Sequence, residues 1–277
     1  MRGAVRWGRR LAIGVAGLMG LMLVSGGSAS DAHRIEWTWA QKKHAQAAEK
    51  PDEPLLPPLP TLPPSFERPK TDCRKLKCVA LTFDDGPGPD TERLLDMLAA
   101  AKAKATFFVI GLNAAQYPDV LLREAEEGHE VGNHTQKHLQ LTAESDKSVE
   151  RELDGTSRIV RSVLGFPPNL FRPPYGATDK RVEQHARKDG MAVVLWSVDT
   201  DDWRNKNSAL VARRAIKGLR EGSIILMHDI HPTTVDAVPR ILKAAKRKGL
   251  TLASVSDVLA ASEGEKKPKP GKKYLGR

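Results

Sequence analysis

The chain is short of cysteine, of aromatic side chains and of any apolar run long enough to span a bilayer. Only Cys73 and Cys78 carry thiols, and Phe, Trp and Tyr together make up 5% of the 277 residues. A metal site built on a cysteine pair would need other soft ligands close by, and none stands near this one. A small disulfide loop is the expected arrangement in an exported chain, and it would staple the approach to the first strand. The net charge of +10 comes from scattered Lys and Arg without interleaved aromatics. That excludes a nucleic-acid partner and leaves a mild attraction to acidic polymers or anionic membrane surfaces. The N-terminal apolar run, Leu11 to Val24, falls short of the roughly 20 residues that cross a bilayer comfortably. No cysteine follows it to accept a lipid.

What is present divides the chain unevenly. Arg2, Arg6, Arg9 and Arg10 precede the apolar run, and small residues from Gly26 to Ser30 follow it. This is the layout of a secretory signal peptide over residues 1–30, cleaved near Ala29-Ser30-Asp31, or of an uncleaved anchor that tethers the protein to a membrane. Either way the body is expected in an extracytoplasmic space: secreted, periplasmic or attached to the cell envelope. Residues 31–70 carry Pro51, Pro54, Pro57, Pro58, Pro60, Pro63, Pro64 and Pro69 and read as an extended, semi-rigid linker. Residues 263–277 are basic, contain Pro and Gly, and read as a disordered tail. The remainder, residues 71–262, is one large domain.

Within that domain strand-like and helix-like segments alternate. The apolar runs predict strands over Val79–Asp85, Ala105–Gly111, His129–Thr135, Leu170–Tyr175, Met191–Asp199, Ser223–Asp229 and Leu250–Val255. Between them, sets such as Val149, Leu153, Val160, Val163 and Leu164 recur at helical spacing. Such alternation makes an α/β fold with a parallel sheet, either open and doubly wound or closed toward a barrel. The polar residues Asp84 and Asp85, His134 and His138, Arg172 and Tyr175, Asp199, Asp202 and Trp203, and His228 all fall at or just past a strand's C-terminal end. In parallel α/β folds that edge is where active sites are built.

These residue types suit metal-assisted hydrolysis. His134 and His138 stand four residues apart, on a helical turn or a tight loop, and such a pair holds a divalent metal when a carboxylate joins it. Asp84 or Asp85 could supply that ligand. Two His and one Asp suit zinc hydrolysis or non-haem iron oxidation. For hydrolysis, the second Asp could act as base. His228, held protonated by Asp202, could act as acid. Arg172 could fix the base, and the Tyr175 N–H, after the rigid Pro173-Pro174, could face an oxyanion. No covalent nucleophile is evident. Oxidation would leave the acid and base idle.

The ordered set Thr82-Phe83-Asp84-Asp85-Gly86, His134-Thr135-x-x-His138, Arg172-Pro173-Pro174-Tyr175-Gly176, Asp199-x-x-Asp202-Trp203 and Leu226-x-His228 resembles the polysaccharide deacetylase family, carbohydrate esterase family 4. The resemblance covers roughly Cys78 to Ala260 and implies a distorted, incomplete (β/α) barrel of about seven parallel strands. By position it implies Asp84 as base, Asp85, His134 and His138 as metal ligands, Arg172 as the residue orienting Asp84, and His228 as acid tuned by Asp202. Tyr175, Trp203 and Leu226 would bind substrate. The implied cofactor is one divalent metal, Zn²⁺ foremost, with Co²⁺ or another transition metal as substitutes. The implied partner is an N-acetylated glycan, peptidoglycan or a chitin-like polymer, deacetylated by metal-bound water. The rival readings are an O-acetyl esterase acting on xylan or another acetylated polysaccharide, and a non-catalytic glycan-binding protein. Loss of Asp84, a ligand or His228 would mark the last, and none is lost.

Overall fold

Every strand pairing is parallel, as expected of a chain that returns through a helix after each strand. The computed structural model describes residues 62–63 and 66–277. The signal or anchor segment and most of the Pro-rich linker lie outside them. The described chain opens with β1 (Cys78–Asp84), α1 (Thr91–Ala100), β2 (Thr106–Val109), α2 (Gly111–Gln116), α3 (Pro118–Glu126) and β3 (Glu130–Asn133). It continues through α4 (Asp146–Leu164), β4 (Leu170–Phe171), α5 (Lys180–Lys188), β5 (Ala192–Val194), β6 (Val198–Asp199), α6 (Asp202–Asn205) and α7 (Ser208–Gly218). Then follow β7 (Ile224–His228), α8 (Pro232–Val235), α9 (Val238–Arg247), β8 (Thr251–Leu252), α10 (Val255–Ser262) and β9 (Lys273–Tyr274).

The strands run β6-β7-β1-β2-β3-β4-β5-β9 across the sheet, with β8 beside β1. β1 is buried along its whole length, because neighbours cover its edges and side chains cover both faces. That is why Val79-Ala80-Leu81 reads as a continuous apolar run. Local signals place the helices. Ser145 caps α4 by accepting from the Ser148 N–H, and Gly165 ends that helix at a φ of 82°. At the opposite end of β1 from the carboxylates, Cys73 and Cys78 are joined, with 5.4 Å between their Cα atoms.

The structure corrects the expected elements in three places. The run from Met191 to Asp199 is two strands: β5 pairs with β4 and β9, whereas β6 pairs with β7. The chain crosses from one end of the curled sheet to the other between them, which uniform apolarity conceals. Secondly, the last residues of the expected linker pack on the body, because Arg68 reaches the largely buried Asp257 at 2.9 Å and Leu62 is buried in the core. Thirdly, the tail read as disordered contributes the two-residue strand β9 to the sheet. Val193 and Leu195 at the free edge of β5 need acceptors, and their N–H groups find the carbonyls of Lys272 and Tyr274 at 2.9 and 2.8 Å. The Arg277 N–H then donates to the Gly222 carbonyl at 2.9 Å, so the segment bridges toward the β7 side of the curl. An incomplete barrel results.

Tyr274 anchors this closing segment at 3% exposure, its hydroxyl donating to Glu265 at 2.6 Å. Tyr274→Ala is expected to cost about 3 kcal/mol, the usual loss for a buried aromatic, read as a lower midpoint in urea unfolding. An unchanged midpoint would mean that the segment folds independently of the body.

Candidate active site

The sheet itself brings two of the expected residues together. Asp84 ends β1, His228 ends β7, and the two are Cα partners in the parallel register. Asp84 is only 2% exposed, and a carboxylate so buried is costly unless it is paired. Its partner is Arg172, wholly buried just past β4, whose Nη1 donates to Asp84 Oδ1 and to Thr82 Oγ1, both at 2.7 Å. The remaining guanidinium donors reach backbone. Nε donates to the Val194 carbonyl at 3.2 Å and Nη2 to the Leu195 carbonyl at 3.0 Å, while the Phe108 ring lies 4.1 Å below the guanidinium carbon.

Asp85 leaves the strand at a φ of 74°, a left-handed conformation that Asp tolerates better than most residues. Its Oδ1 lies 3.4 Å from Nε2 of both His134 and His138. The imidazoles come from a tight loop rather than a helical turn. Thr135 and His138 have φ of 68° and 60°, and the Asn133 and Thr135 side chains accept from the Thr135 and His138 N–H groups at 2.8 and 2.9 Å. His134 Nδ1 faces the Arg172 carbonyl at 2.7 Å. A carbonyl only accepts, so Nδ1 bears the proton and the Nε2 lone pair turns toward Asp85.

Charge reinforces this arrangement. Burial opposes the Asp85 charge, but the neighbouring imidazole of His134, with those of His228 and His138 behind it, holds its pKa down at about 2. Burial first, and the neighbouring His134 ring second, push the His138 ring below its ordinary value, which keeps its lone pair free. Asp85 Oδ1 is buried without a hydrogen-bond partner among the described residues, and one ligand atom from each of Asp85, His134 and His138 lies within 4.8 Å of the others. One anionic oxygen and two imidazole nitrogens converging without a donor between them form a donor set that fits a divalent cation such as zinc.

The β7 side of the rim holds an imidazole of the opposite character. Asp202, wholly buried at the start of α6, faces His228 Nδ1 through Oδ1 at 2.8 Å. Its Oδ2 accepts from the His228 N–H and the Thr234 hydroxyl, each at 2.7 Å. Burial lowers the affinity of His228 for its proton, but the hydrogen bond and charge of Asp202, with Asp84 and Asp85 beyond, raise the pKa to about 9. Above these groups the rings of Tyr175 and Trp203 stand 67% and 51% exposed. The Tyr175 ring packs edge-on to His138, with centroids 4.7 Å apart. Leu226 lies lower, buried in β7 between Thr82 of β1 and Asp199 of β6.

Comparison with known proteins agrees with this geometry. A family model described as polysaccharide deacetylase matches residues 71–194. A peptidoglycan-N-acetylglucosamine deacetylase of Bacillus cereus is 38% identical over 190 residues, covering 66% of this chain and 88% of that protein. The chain belongs to the polysaccharide deacetylase family. PgdA of Listeria monocytogenes, also a peptidoglycan-N-acetylglucosamine deacetylase, is 39% identical over 218 residues, 78% of this chain. The chain spans 45% of the length of that relative. The structure of the peptidoglycan deacetylase PdaC from Bacillus subtilis matches with a TM-score of 0.66 at 38% identity, covering 69% of this chain and 94% of the other. The fold is the distorted, incomplete (β/α) barrel of this family.

Sequence reasoning missed the residues that hold this family's motifs in place here. Thr234 orients Asp202 from 32 residues away, and the Val194 and Leu195 groups that grip Arg172 are carbonyls with no side-chain signature. The proton on His228 stabilises the fold fully below the ordinary imidazole value of about 6.5. That contribution fades as pH rises through about 9. Asp202→Asn is expected to bring the His228 titration, followed by NMR, down toward about 6.5. A midpoint that stays near 9 would mean that Asp202 does not set it.

Proposed function

We propose that this chain is a metal-dependent N-deacetylase that removes acetyl groups from N-acetylglucosamine units of a cell-wall polysaccharide, peptidoglycan before chitin-like polymers. Residues 71–262, with β9 completing their sheet, would be its catalytic domain. The observation that carries the reading is the grouping on one rim of a cation-fitting triad, a carboxylate anchored by a buried arginine, and an imidazole that keeps its proton. The relatives named for peptidoglycan deacetylation and the net charge of +10 support an acidic wall as the place of work, outside the cytoplasm. Among the described residues no helix is long and apolar enough to cross a membrane.

A divalent cation, Zn²⁺ or Co²⁺ in its place, would be held by Asp85, His134 and His138 and would polarise the acetamide carbonyl and acidify water. Arg172 occupies Asp84 Oδ1, so Asp84 takes the proton of the attacking water through Oδ2. The Tyr175 N–H, in a turn where the Gly176 and Ala177 N–H groups donate back to Pro173 and Pro174, faces the carbonyl oxygen as negative charge builds there. His228 delivers its Nε2 proton to the nitrogen as the C–N bond breaks, while Asp202 steadies the ring from Nδ1. The products are acetate, carrying the oxygen of the water, and a free amine on the sugar. Tyr175 and Trp203 offer exposed rings to the sugar faces, and Leu226 lines the floor beneath the acetyl methyl.

The test is acetate release by the full chain from N-acetylglucosamine oligomers, peptidoglycan and acetylated xylan, with chelator and with Zn²⁺ or Co²⁺ restored. Chelation is expected to abolish release and either ion to restore it. Asp84→Asn and His228→Ala are each expected to lower kcat by about 10²- to 10⁴-fold, the range for loss of a general base or acid, with metal binding retained. Release from xylan alone would move the chain to the O-acetyl esterases. No release by folded, metal-loaded protein would overturn the reading.

A further inference from the structure

A further buried carboxylate stands one residue beyond His228 and takes no part in the chemistry above. Asp229 has no exposed surface. Its Oδ2 accepts from the hydroxyl of Thr91, the buried first residue of α1. The Thr91 hydroxyl in turn accepts from the Gly88 N–H at 2.8 Å. The same carboxylate lies against Gly86, where a Cβ would sit 2.3 and 2.5 Å from its two oxygens. The turn leaving β1, Gly86-Pro87-Gly88, is thus wrapped around one side chain from the turn leaving β7.

This contact lies where the sheet stops controlling the site. Ladder hydrogen bonds fix the partners Asp84 and His228, but Asp85 is already outside the ladder. On the β2 side its turn is held by backbone and amide groups. The Asp85 N–H donates to the Phe108 carbonyl at 3.2 Å, the Gly86 carbonyl accepts from the Ile110 N–H at 3.1 Å, and the Asp85 carbonyl accepts from Asn113 Nδ2 at 2.7 Å. On the β7 side the tie is the Asp229 carboxylate. A group recruited only to fill space would be apolar, since burying a carboxyl costs free energy, and Asp229 Oδ1 finds no hydrogen-bond partner among the described residues.

We propose that Asp229 is a positioning residue, which locks the exit of β1 against the exit of β7 and so sets the reach between Asp84 and Asp85 on one side and His228 on the other. Its effect on turnover rests on the deacetylase reading; its effect on the direction of Asp85 does not. Asp229→Asn keeps an acceptor for Thr91 and the flat shape against Gly86, whereas Asp229→Ala removes both. Thr91→Ser keeps the donor, and Thr91→Val removes it.

The experiment uses the full chain and follows kcat and KM for acetate release from N-acetylglucosamine oligomers, the visible spectrum and affinity of bound Co²⁺, and urea unfolding. Asp229→Ala and Thr91→Val are expected to lower kcat by about 10- to 100-fold, as for residues that orient ligands and bases, with little change in KM and an altered Co²⁺ spectrum. Asp229→Asn and Thr91→Ser are expected to stay within about 3-fold of the parent, because geometry rather than charge is being kept. A kcat that falls no further than the folded fraction, or an Asn variant as damaged as the Ala variant, would overturn the proposal. If the parent itself releases no acetate, the deacetylase reading fails. In that case an unchanged Co²⁺ spectrum and affinity in Asp229→Ala would still overturn the positioning role.

Discussion

Everything at the rim depends on a guanidinium that has been taken wholly out of water. Arg172 keeps its charge in the core because each of its donating nitrogens has an acceptor: Thr82 and Asp84 on β1, and the carbonyls of Val194 and Leu195 at the end of β5. Its own carbonyl accepts the hydrogen bond of the His134 Nδ1–H. One residue therefore fixes the free oxygen of Asp84, the tautomer of His134 and the spacing of strands that are remote in sequence. Breaking a buried pair of this kind costs about 3–5 kcal/mol, because the surviving charge is left without compensation. The site is a part of the core.

The two imidazole environments follow from which side of that pair each ring occupies. His138 belongs to the triad, where burial and the neighbouring His134 ring keep it neutral and fit to donate a lone pair. His228 faces Asp202, which holds a proton on it to about pH 9. One rim thus keeps a neutral imidazole with a free lone pair and an imidazole that holds its proton. Separated environments of this kind are how enzymes assign acid and base roles near neutral pH.

The features legible in the sequence were those carried by side chains in regular patterns. Apolar runs marked the strands, and the polar residues just past them marked one edge of a parallel sheet. Features that depend on backbone groups or on long-range closure were hidden. Met191 to Asp199 is uniformly compatible with a strand, yet the chain leaves the ladder at Leu195 because the sheet curls and β6 belongs beside β7. Residues 263–277 carry the composition of a disordered tail, but the unpaired edge of β5 recruits Lys273 and Tyr274, and no local signal reports a demand made elsewhere in the fold. Thr234 and Asp229 are ordinary in sequence and matter only through what folding brings beside them.

A single-turnover reaction in water enriched in heavy oxygen, with N-acetylglucosamine oligomers and the metal-loaded full chain, tests the central claim most directly. Acetate and free sugar amine are expected in equal amounts, with one heavy atom in each acetate, because in the proposed reaction water attacks the carbonyl while His228 protonates the nitrogen. Acetate released without the label, or without a matching amine, would contradict direct hydrolysis of the acetamide at this rim.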